Sequence, residues 1–361
     1  ALADVKRRSK YLAKQIREVI EPVTIRRNRL DLVNNPYYKD EVKNLSKVND
    51  PKEWFFELTK EQSEFYDMVI KYYFADPDEG GKFKGAIYRP INYEKDKKDI
   101  DEDKLPKSET FEFNTQYNLY NFMRRLLVKR FESSFGSFEQ SLINFMRITD
   151  SVSKFVEKTG KFILDRSLID KIYEKDLDEI EEELVKYSEK INEGLYPENR
   201  KIYEVSKFKD KDKFIDDIKS DLELFGEVLD KLHCLNLVKD DPKSKCLVEH
   251  IKTQLREEPD RKVAIFSEYV DTVKYLEPIL EKEFAGKVLV VKGDLSLSKI
   301  EEINKNFDAS YKAQENKYDI LLTSDKLSEG FNLNRAGMVI NYDIPWNHVR
   351  VIQRVGRINR I

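Results

Sequence analysis

Asp319-Ile320-Leu321-Leu322-Thr323-Ser324-Asp325-Lys326-Leu327-Ser328-Glu329-Gly330-Phe331-Asn332-Leu333 sets a short apolar run directly against a loop of small and polar residues. A run of this length bounded by turn formers reads as a buried strand. Three further runs share the texture, at residues 263–266, 288–291 and 338–341, and stretches of helical period lie at 272–284 and 297–307. Strand, helix, strand in that order predicts a parallel sheet with right-handed crossovers, and in such sheets ligands sit at the carboxyl ends of the strands. The Ser, Asp, Glu and Gly after Thr323 offer hydroxyls and backbone N–H groups suited to a phosphate. By itself such a loop is more often a turn than a site.

Outward toward the C-terminus, Gln353-Arg354-Val355-Gly356-Arg357-Ile358-Asn359-Arg360 carries three arginines at a spacing of three. That spacing places them on adjacent turns of one helix, a fan of guanidinium groups toward one side. A guanidinium stays charged and grips phosphate oxygens through two donors at once, which suits a phosphoryl group gaining charge in a transition state. The pattern also fits a basic helix end that complements the macrodipole and pairs with nearby carboxylates. Residues 331–361 hold five arginines, Arg335, Arg350, Arg354, Arg357 and Arg360, against one acid, Asp343. One acid cannot pair with all five, so any structural partners have to come from elsewhere in the fold.

The rest of the 361 residues is long enough for at least one further packed unit. Apolar spacing over residues 2–20 predicts a helix stopped at Pro22, then a short strand at 23–25. Thr59-Lys60-Glu61-Gln62 is a capping box, and Phe65, Tyr66, Val69 and Ile70 supply the apolar face of the helix it opens. Residues 75–106, rich in Asp, Lys, Gly and Pro, are expected to form a loop or mobile excursion. Between 115 and 238 helical period dominates, with Arg124, Arg125, Lys129 and Arg130 expected on a basic helix surface. The stretch 171–193, with nine acids against four lysines, reads as a solvated helix face.

Bulk numbers exclude several classes. Lys+Arg 65 against Asp+Glu 68 gives a net charge of -3, so any nucleic-acid footprint has to be local. Cys234 and Cys246 make neither a disulfide framework nor a zinc site, which suits a reducing cytoplasm. No run approaches the roughly 18 apolar residues of a membrane span, and the opening Ala1-Leu2-Ala3-Asp4 without a Met leads us to expect a piece of a longer protein.

Taken together and in order, the loop at 323–333, the stretch Met338-Val339-Ile340-Asn341-Tyr342-Asp343-Ile344-Pro345-Trp346-Asn347 and the Gln-Arg-x-Gly-Arg-x-x-Arg ending resemble motifs V and VI of superfamily 2 helicases. The likeness is to the Swi/Snf-like branch that includes RapA-type proteins and phospholipase-D-fused helicases. Ala264-Ile265-Phe266-Ser267-Glu268-Tyr269 resembles motif IV, and Lys292-Gly293-Asp294-Leu295-Ser296 resembles the next element. Glu21-Pro22-Val23-Thr24-Ile25-Arg26-Arg27, with Leu58-Thr59-Lys60-Glu61-Gln62 and Tyr66, resembles the exit from a first RecA-like lobe and its linker. Lys129-Arg130-Phe131-Glu132-Ser133-Ser134 resembles a recurring stretch of the inserted helical region.

The resemblance implies an α/β fold, a RecA-like parallel-sheet lobe preceded by a mainly helical inserted region. Its domains would be 1–74, the tail of the first RecA-like lobe and linker; 75–240, the helical insertion; and 241–361, the second lobe. It implies an ATP-dependent helicase or translocase, with ATP and Mg2+ held mainly by the missing N-terminal ATPase lobe. Arg357 and Arg360 would be arginine fingers, supported by Gln353 and Arg354, with Glu329 and Gly330 on the nucleotide side. Ser267, Lys292, Gly293 and Thr323 would face a nucleic-acid backbone, DNA ahead of RNA, and no residue is assigned to a metal. The Gly-Lys pairs at Gly81, Gly160 and Gly286 have neither a Gly five residues earlier nor Ser/Thr after, so no phosphate-cradling loop is present. The chain alone is therefore expected to be inactive. Two other readings stay open: a non-catalytic protein-interaction module with a RecA-like lobe, and the motor subunit of a restriction or defence system.

Overall fold

In the computed structural model of the protein, residues 11–12, 14–16, 18–19, 36–37, 48–94, 107–165, 177–292, 295–325, 330–345 and 347–359 are described. The chain divides into two compact units, Ala1–Pro51 with Ile361, and Lys52–Arg360. In the first, residues 11–12, 14–16 and 18–19 are helical and exposed, in keeping with the helix expected over 2–20. The strand expected at 23–25 lies outside the described residues.

In the second unit, α1 (Lys60–Met68) opens on the expected capping box: the Gln62 N–H donates to Thr59 Oγ1 at 3.2 Å, and the Thr59 N–H donates to Gln62 Oε1 at 3.0 Å. A π turn, Val69–Tyr73, extends it. The stretch expected as a loose excursion is instead packed over residues 75–94, where Phe83, Ala86, Ile87, Tyr88 and Tyr93 are buried. Short 3-10 turns at Pro77–Glu79 and Ala86–Tyr88 and a single-turn α2 (Ile91–Glu94) carry those side chains. Such turns leave no helical or strand period in the sequence. Asp221 fixes them by accepting from the N–H groups of Lys84 at 2.7 Å and Ala86 at 3.3 Å.

The helical region continues as α3 (Lys107–Ser133), α4 (Phe135–Thr159), α5 (Leu177–Asn192) and α6 (Lys211–Cys234). A two-stranded antiparallel ribbon of β1 (Lys161–Asp165) and β2 (Arg200–Glu204) interrupts it, which helical period did not suggest. One aromatic core runs from Phe65, Tyr73 and Phe74 through Phe83, Phe131 and Phe138 to Phe225. The boundary expected at 74/75 therefore falls inside a single core. Its rings meet in stacked, tilted and edge-to-face pairs, the last as at Phe131 and Phe138 with centroids 4.9 Å apart, where the ring quadrupoles favour each other.

From Asp241, which caps α7 (Pro242–Glu257) by accepting from the Lys243 N–H, the chain enters the sheet lobe. The strands β3 (Lys262–Ser267), β4 (Val288–Val291), β5 (Ile320–Ser324) and β6 (Ala336–Asn341) pair all in parallel in the order β4-β5-β3-β6. Between them lie α8 (Val270–Glu283) and α9 (Leu297–Phe307), and α10 (His348–Ile358) follows β6. Alternation assigns the faces: Val263, Ile265, Ile320 and Leu322 pack with α7 and α8, while Ala264, Phe266 and Leu321 pack with α9 and Leu333. Both faces are covered, which is why the strands read as unbroken apolar runs. No helix among the described residues is long and apolar enough to cross a membrane.

Candidate functional site

The carboxyl ends of β3, β5 and β6 open on one polar edge, and Asp343 is its hub. The Asp343 carboxylate accepts from Ser267 Oγ at 2.5 Å, from the Glu268 N–H at 2.6 Å and from Ser133 Oγ, on the helical region, at 2.7 Å. Ser267 ends β3, so the hub ties the loop after β3 to the loop after β6. Lys243, half-buried beside this group, has its ammonium pulled below the usual lysine range by loss of solvent, against the pull of Asp343 and Asp241.

Helix α10 rises from this edge with its arginine face turned inward. Arg354 is fully buried: Nε donates to Asp325 Oδ1 at 2.6 Å, and Nη1 donates to Asn341 Oδ1 at 2.9 Å and to the Asp343 carbonyl at 3.1 Å. One turn earlier, Arg350 Nη1 stands 3.3 Å from Asp325 and 3.6 Å from Glu268. Burial, with Asp343 adding to it, pushes the Glu268 carboxyl up to about 7, and Arg350 opposes the shift. Arg357 is 8% exposed, and its carbonyl accepts from the Leu333 N–H at 2.9 Å, joining α10 to the end of the loop after β5. Val349 and Ile352 occupy the outward face and are exposed.

These positions refine the sequence expectations. Arg354 is a strut inside the lobe, held by acids from β5 and β6 loops, and does not itself present a guanidinium to solvent. Arg335 is likewise structural, donating to the Lys305 and Glu315 carbonyls at 2.8 Å each. Ser267 and Thr323, expected to face a nucleic-acid backbone, are fully buried; Thr323 Oγ1 donates to the Ser324 carbonyl at 3.0 Å. They hold the edge from within. Lys292 is exposed at the end of β4 and ion-paired with Glu277. Gly330 is exposed with φ of 88°, a left-handed conformation that glycine adopts without strain, and Gln353 is partly buried. Arg360, Glu329 and Gly293 lie outside the described residues. Among the described residues there is no group of three or more His, Cys, Asp or Glu that could hold a metal ion.

Sequence reasoning missed Asp343, Asp325, Asn341 and Glu268, which make the arginine helix stand where it does. It also placed Arg130 on a helix surface, whereas Arg130 is fully buried against Glu181, the buried acid among the described residues of the acid-rich stretch. A signal was available: Arg130 continues the spacing of Met123, Leu126 and Leu127, the buried stripe of α3.

A family model for the helicase conserved C-terminal domain matches residues 242–361. Those residues are a superfamily 2 helicase C-terminal lobe, Swi/Snf-like. An uncharacterized ATP-dependent helicase, YqhH of Bacillus subtilis (strain 168), is 32% identical over 127 residues, 35% of this chain and 20% of that protein. The pre-mRNA-splicing ATP-dependent RNA helicase PRP28 of Meyerozyma guilliermondii is 25% identical over 148 residues, 41% of this chain and 24% of that protein. The RNA polymerase-associated protein RapA of Sodalis glossinidius is 31% identical over 122 residues, 34% of this chain and 12% of that protein. The chain thus spans less than a quarter of the length of each of these relatives.

Proposed function

We propose that this helicase lobe is the second half of an ATP-driven motor on nucleic acid, DNA ahead of RNA, working in the cytoplasm. The observation that supports the reading is the anchoring of α10: Arg350 and Arg354 are held by Asp325, Asn341 and Asp343, which fixes the helix on which Arg357 stands, and we assign Arg357 and Arg360 to the nucleotide. Guanidinium groups fit phosphate charge, whereas the described residues offer no carboxylate cluster for Mg2+ and the sequence no phosphate cradle. ATP and its metal ion would therefore be held by another RecA-like lobe, whose nucleotide supplies the phosphoryl group that water attacks. Arg357 and Arg360 would complete that site from across a cleft, meeting charge that develops as the terminal phosphoryl leaves. The exposed Val349 and Ile352 offer an apolar surface for such a lobe to cover. Lys292, Gly293 and the loop containing Glu329 and Gly330 are the candidates for backbone and nucleotide contacts, with Ser267 and Thr323 supporting them from within. Backbone contacts of this kind position a protein without reading sequence.

On this reading the chain alone releases no phosphate from ATP, and adding the lobe with the cradle restores turnover. Steady-state phosphate release from the purified chain above a no-protein control, with contaminating ATPase excluded, would overturn it.

A further inference from the structure

The helical region meets the helicase lobe at the corner between α3 and α4, and the contact is polar and buried where apolar packing would have sufficed. Ser133 ends α3, and Ser134, extended at φ -153°, caps α4 by accepting from the Ser137 N–H at 3.0 Å. Ser134 Oγ lies 3.2 Å from Thr272 Oγ1, Thr272 Oγ1 lies 2.8 Å from Ser133 Oγ, and Ser133 Oγ donates to Asp343 at 2.7 Å. Since Ser133 gives its proton to the carboxylate, one direction satisfies every hydroxyl: Ser134 donates to Thr272, Thr272 to Ser133, and Ser133 to Asp343. Lys243 holds the same corner by donating to the Glu132 and Ser133 carbonyls at 2.8 and 2.7 Å, the acceptors a helix C-terminus leaves open. One turn back, the Arg130 guanidinium is 3.3 Å from Glu181, 3.8 Å from Asp271 of α8 and 4.5 Å from the Tyr269 ring.

This corner ends on the carboxylate whose backbone carbonyl holds Arg354 and whose side chain holds Ser267 and Glu268. We propose that Ser133 is a positioning residue for the arginine helix: through Asp343 it sets where Arg354, and with it Arg357, stand relative to the loop after β3. The helical region is then a bracket on the catalytic edge, and whatever binds it reaches turnover through the α3–α4 corner. Chains of hydrogen bonds ending on a buried charge strengthen one another, so loss of one hydroxyl weakens the whole relay. A shift of α10 well under the length of a bond misaligns a guanidinium aimed at a transition state, while ground-state binding of ATP hardly changes.

The inference rests on the arginine-finger reading, so its test carries a control for that reading. In the protein containing both lobes, Ser133→Ala, Thr272→Val and the double variant are compared with Arg357→Ala for kcat, KM for ATP and melting temperature. Ser133→Ala is expected to lower kcat on the order of tenfold at unchanged KM, with the double variant no slower than Ser133→Ala, because one relay is broken once. The inference is overturned if Ser133→Ala keeps kcat within about twofold while Arg357→Ala is inactive, or if the two losses simply multiply and follow the melting temperature. If Arg357→Ala itself stays active, the arginine-finger reading fails, and the inference falls with it for that separate reason.

Discussion

Two fully buried arginines, one in each region, set the helical region against the helicase lobe. Arg354 belongs to the lobe's own edge, where Asp325 engages its Nε and Asn341 and the Asp343 carbonyl engage its Nη1. Arg130 belongs to the helical region but points at the seam, with Glu181 from its own side and Asp271 and Tyr269 from the lobe. Away from that seam the helical region is held by aromatic packing, with Phe and Tyr from residue 65 to residue 225 in one core. The lobe divides its apolar residues between two sheet faces and sets its buried arginine, Arg354, with Asp325 and Asp343 where the strands end. In both regions the buried charges have partners, because an unpaired buried charge is too costly to keep: Arg354 within the lobe, Arg130 across the seam, and Asp221 within the helical region on the N–H groups of Lys84 and Ala86.

Removing each arginine sharpens the contrast most. Arg354→Ala removes the charge held at the lobe's edge, leaving Asn341 without its guanidinium and Asp325 with Arg350 alone, and is expected to cost about 3–5 kcal/mol in chemical denaturation. Arg130→Ala should cost less: burial has already raised the Glu181 carboxyl above its usual range, so it can take up a proton once the guanidinium is gone. Equal losses from both variants would remove the distinction between strut and seam.

The seam itself is tested by Gly136→Ala. A methyl group there would lie 2.1 Å from the Tyr275 ring of α8, and that ring is pinned by donation to the Val238 carbonyl at 2.8 Å. Overpacking of this kind costs roughly 1–3 kcal/mol. A variant as stable as the parent would mean that the two regions do not press on each other at this point.

A smaller effect concerns pH. The Glu268 carboxyl titrates at about 7 in the fold but near 4.5 when unfolded. A raised folded value means the proton stabilises the native state, so this contribution is fully present below pH 4.5 and is lost as pH rises through about 7. Within that window the slope is at most about 1.4 kcal/mol per pH unit. Glu268→Gln should flatten it while leaving stability at pH 4 nearly unchanged, read from melting temperatures across the range. An unaltered slope would assign the pH dependence elsewhere, for instance to Asp221, whose carboxyl burial also raises to about 7.

How legible each region was follows from the same contrast. In the lobe, β4 and α9 fall on the residues their periodicity predicts, and the other strands differ only at their ends, because both faces of a parallel sheet are apolar and helices must intervene. The arginine run was legible as charge, but its inward orientation was not: spacing says which residues share a helix face and nothing of which way that face turns. Val349 and Ile352 outward with Arg354 inward inverts the usual rule for a surface helix. In the helical region the packed turns over 75–94 were illegible because their anchors, Phe83, Tyr88 and Tyr93, follow neither the helical nor the strand period. Ser133 was invisible because its partner, Asp343, lies 210 residues away.

The central claim is that α10 brings arginines to a nucleotide held by another lobe, and the direct measurement is ATP turnover by Arg357→Ala and Arg360→Ala in the protein carrying both lobes, with ATP and nucleic-acid affinity measured on the same samples. An arginine finger acts where phosphoryl charge develops, so each substitution should lower turnover by roughly a thousandfold or more while binding stays close to parental, and lysine should restore little because it cannot grip two oxygens at once. Surface charge, by contrast, contributes about one kcal/mol or less to stability and nothing to the reaction. If both variants keep more than about half the parental rate, where a finger predicts a large fall, Arg357 and Arg360 take no part in hydrolysis and the account is wrong.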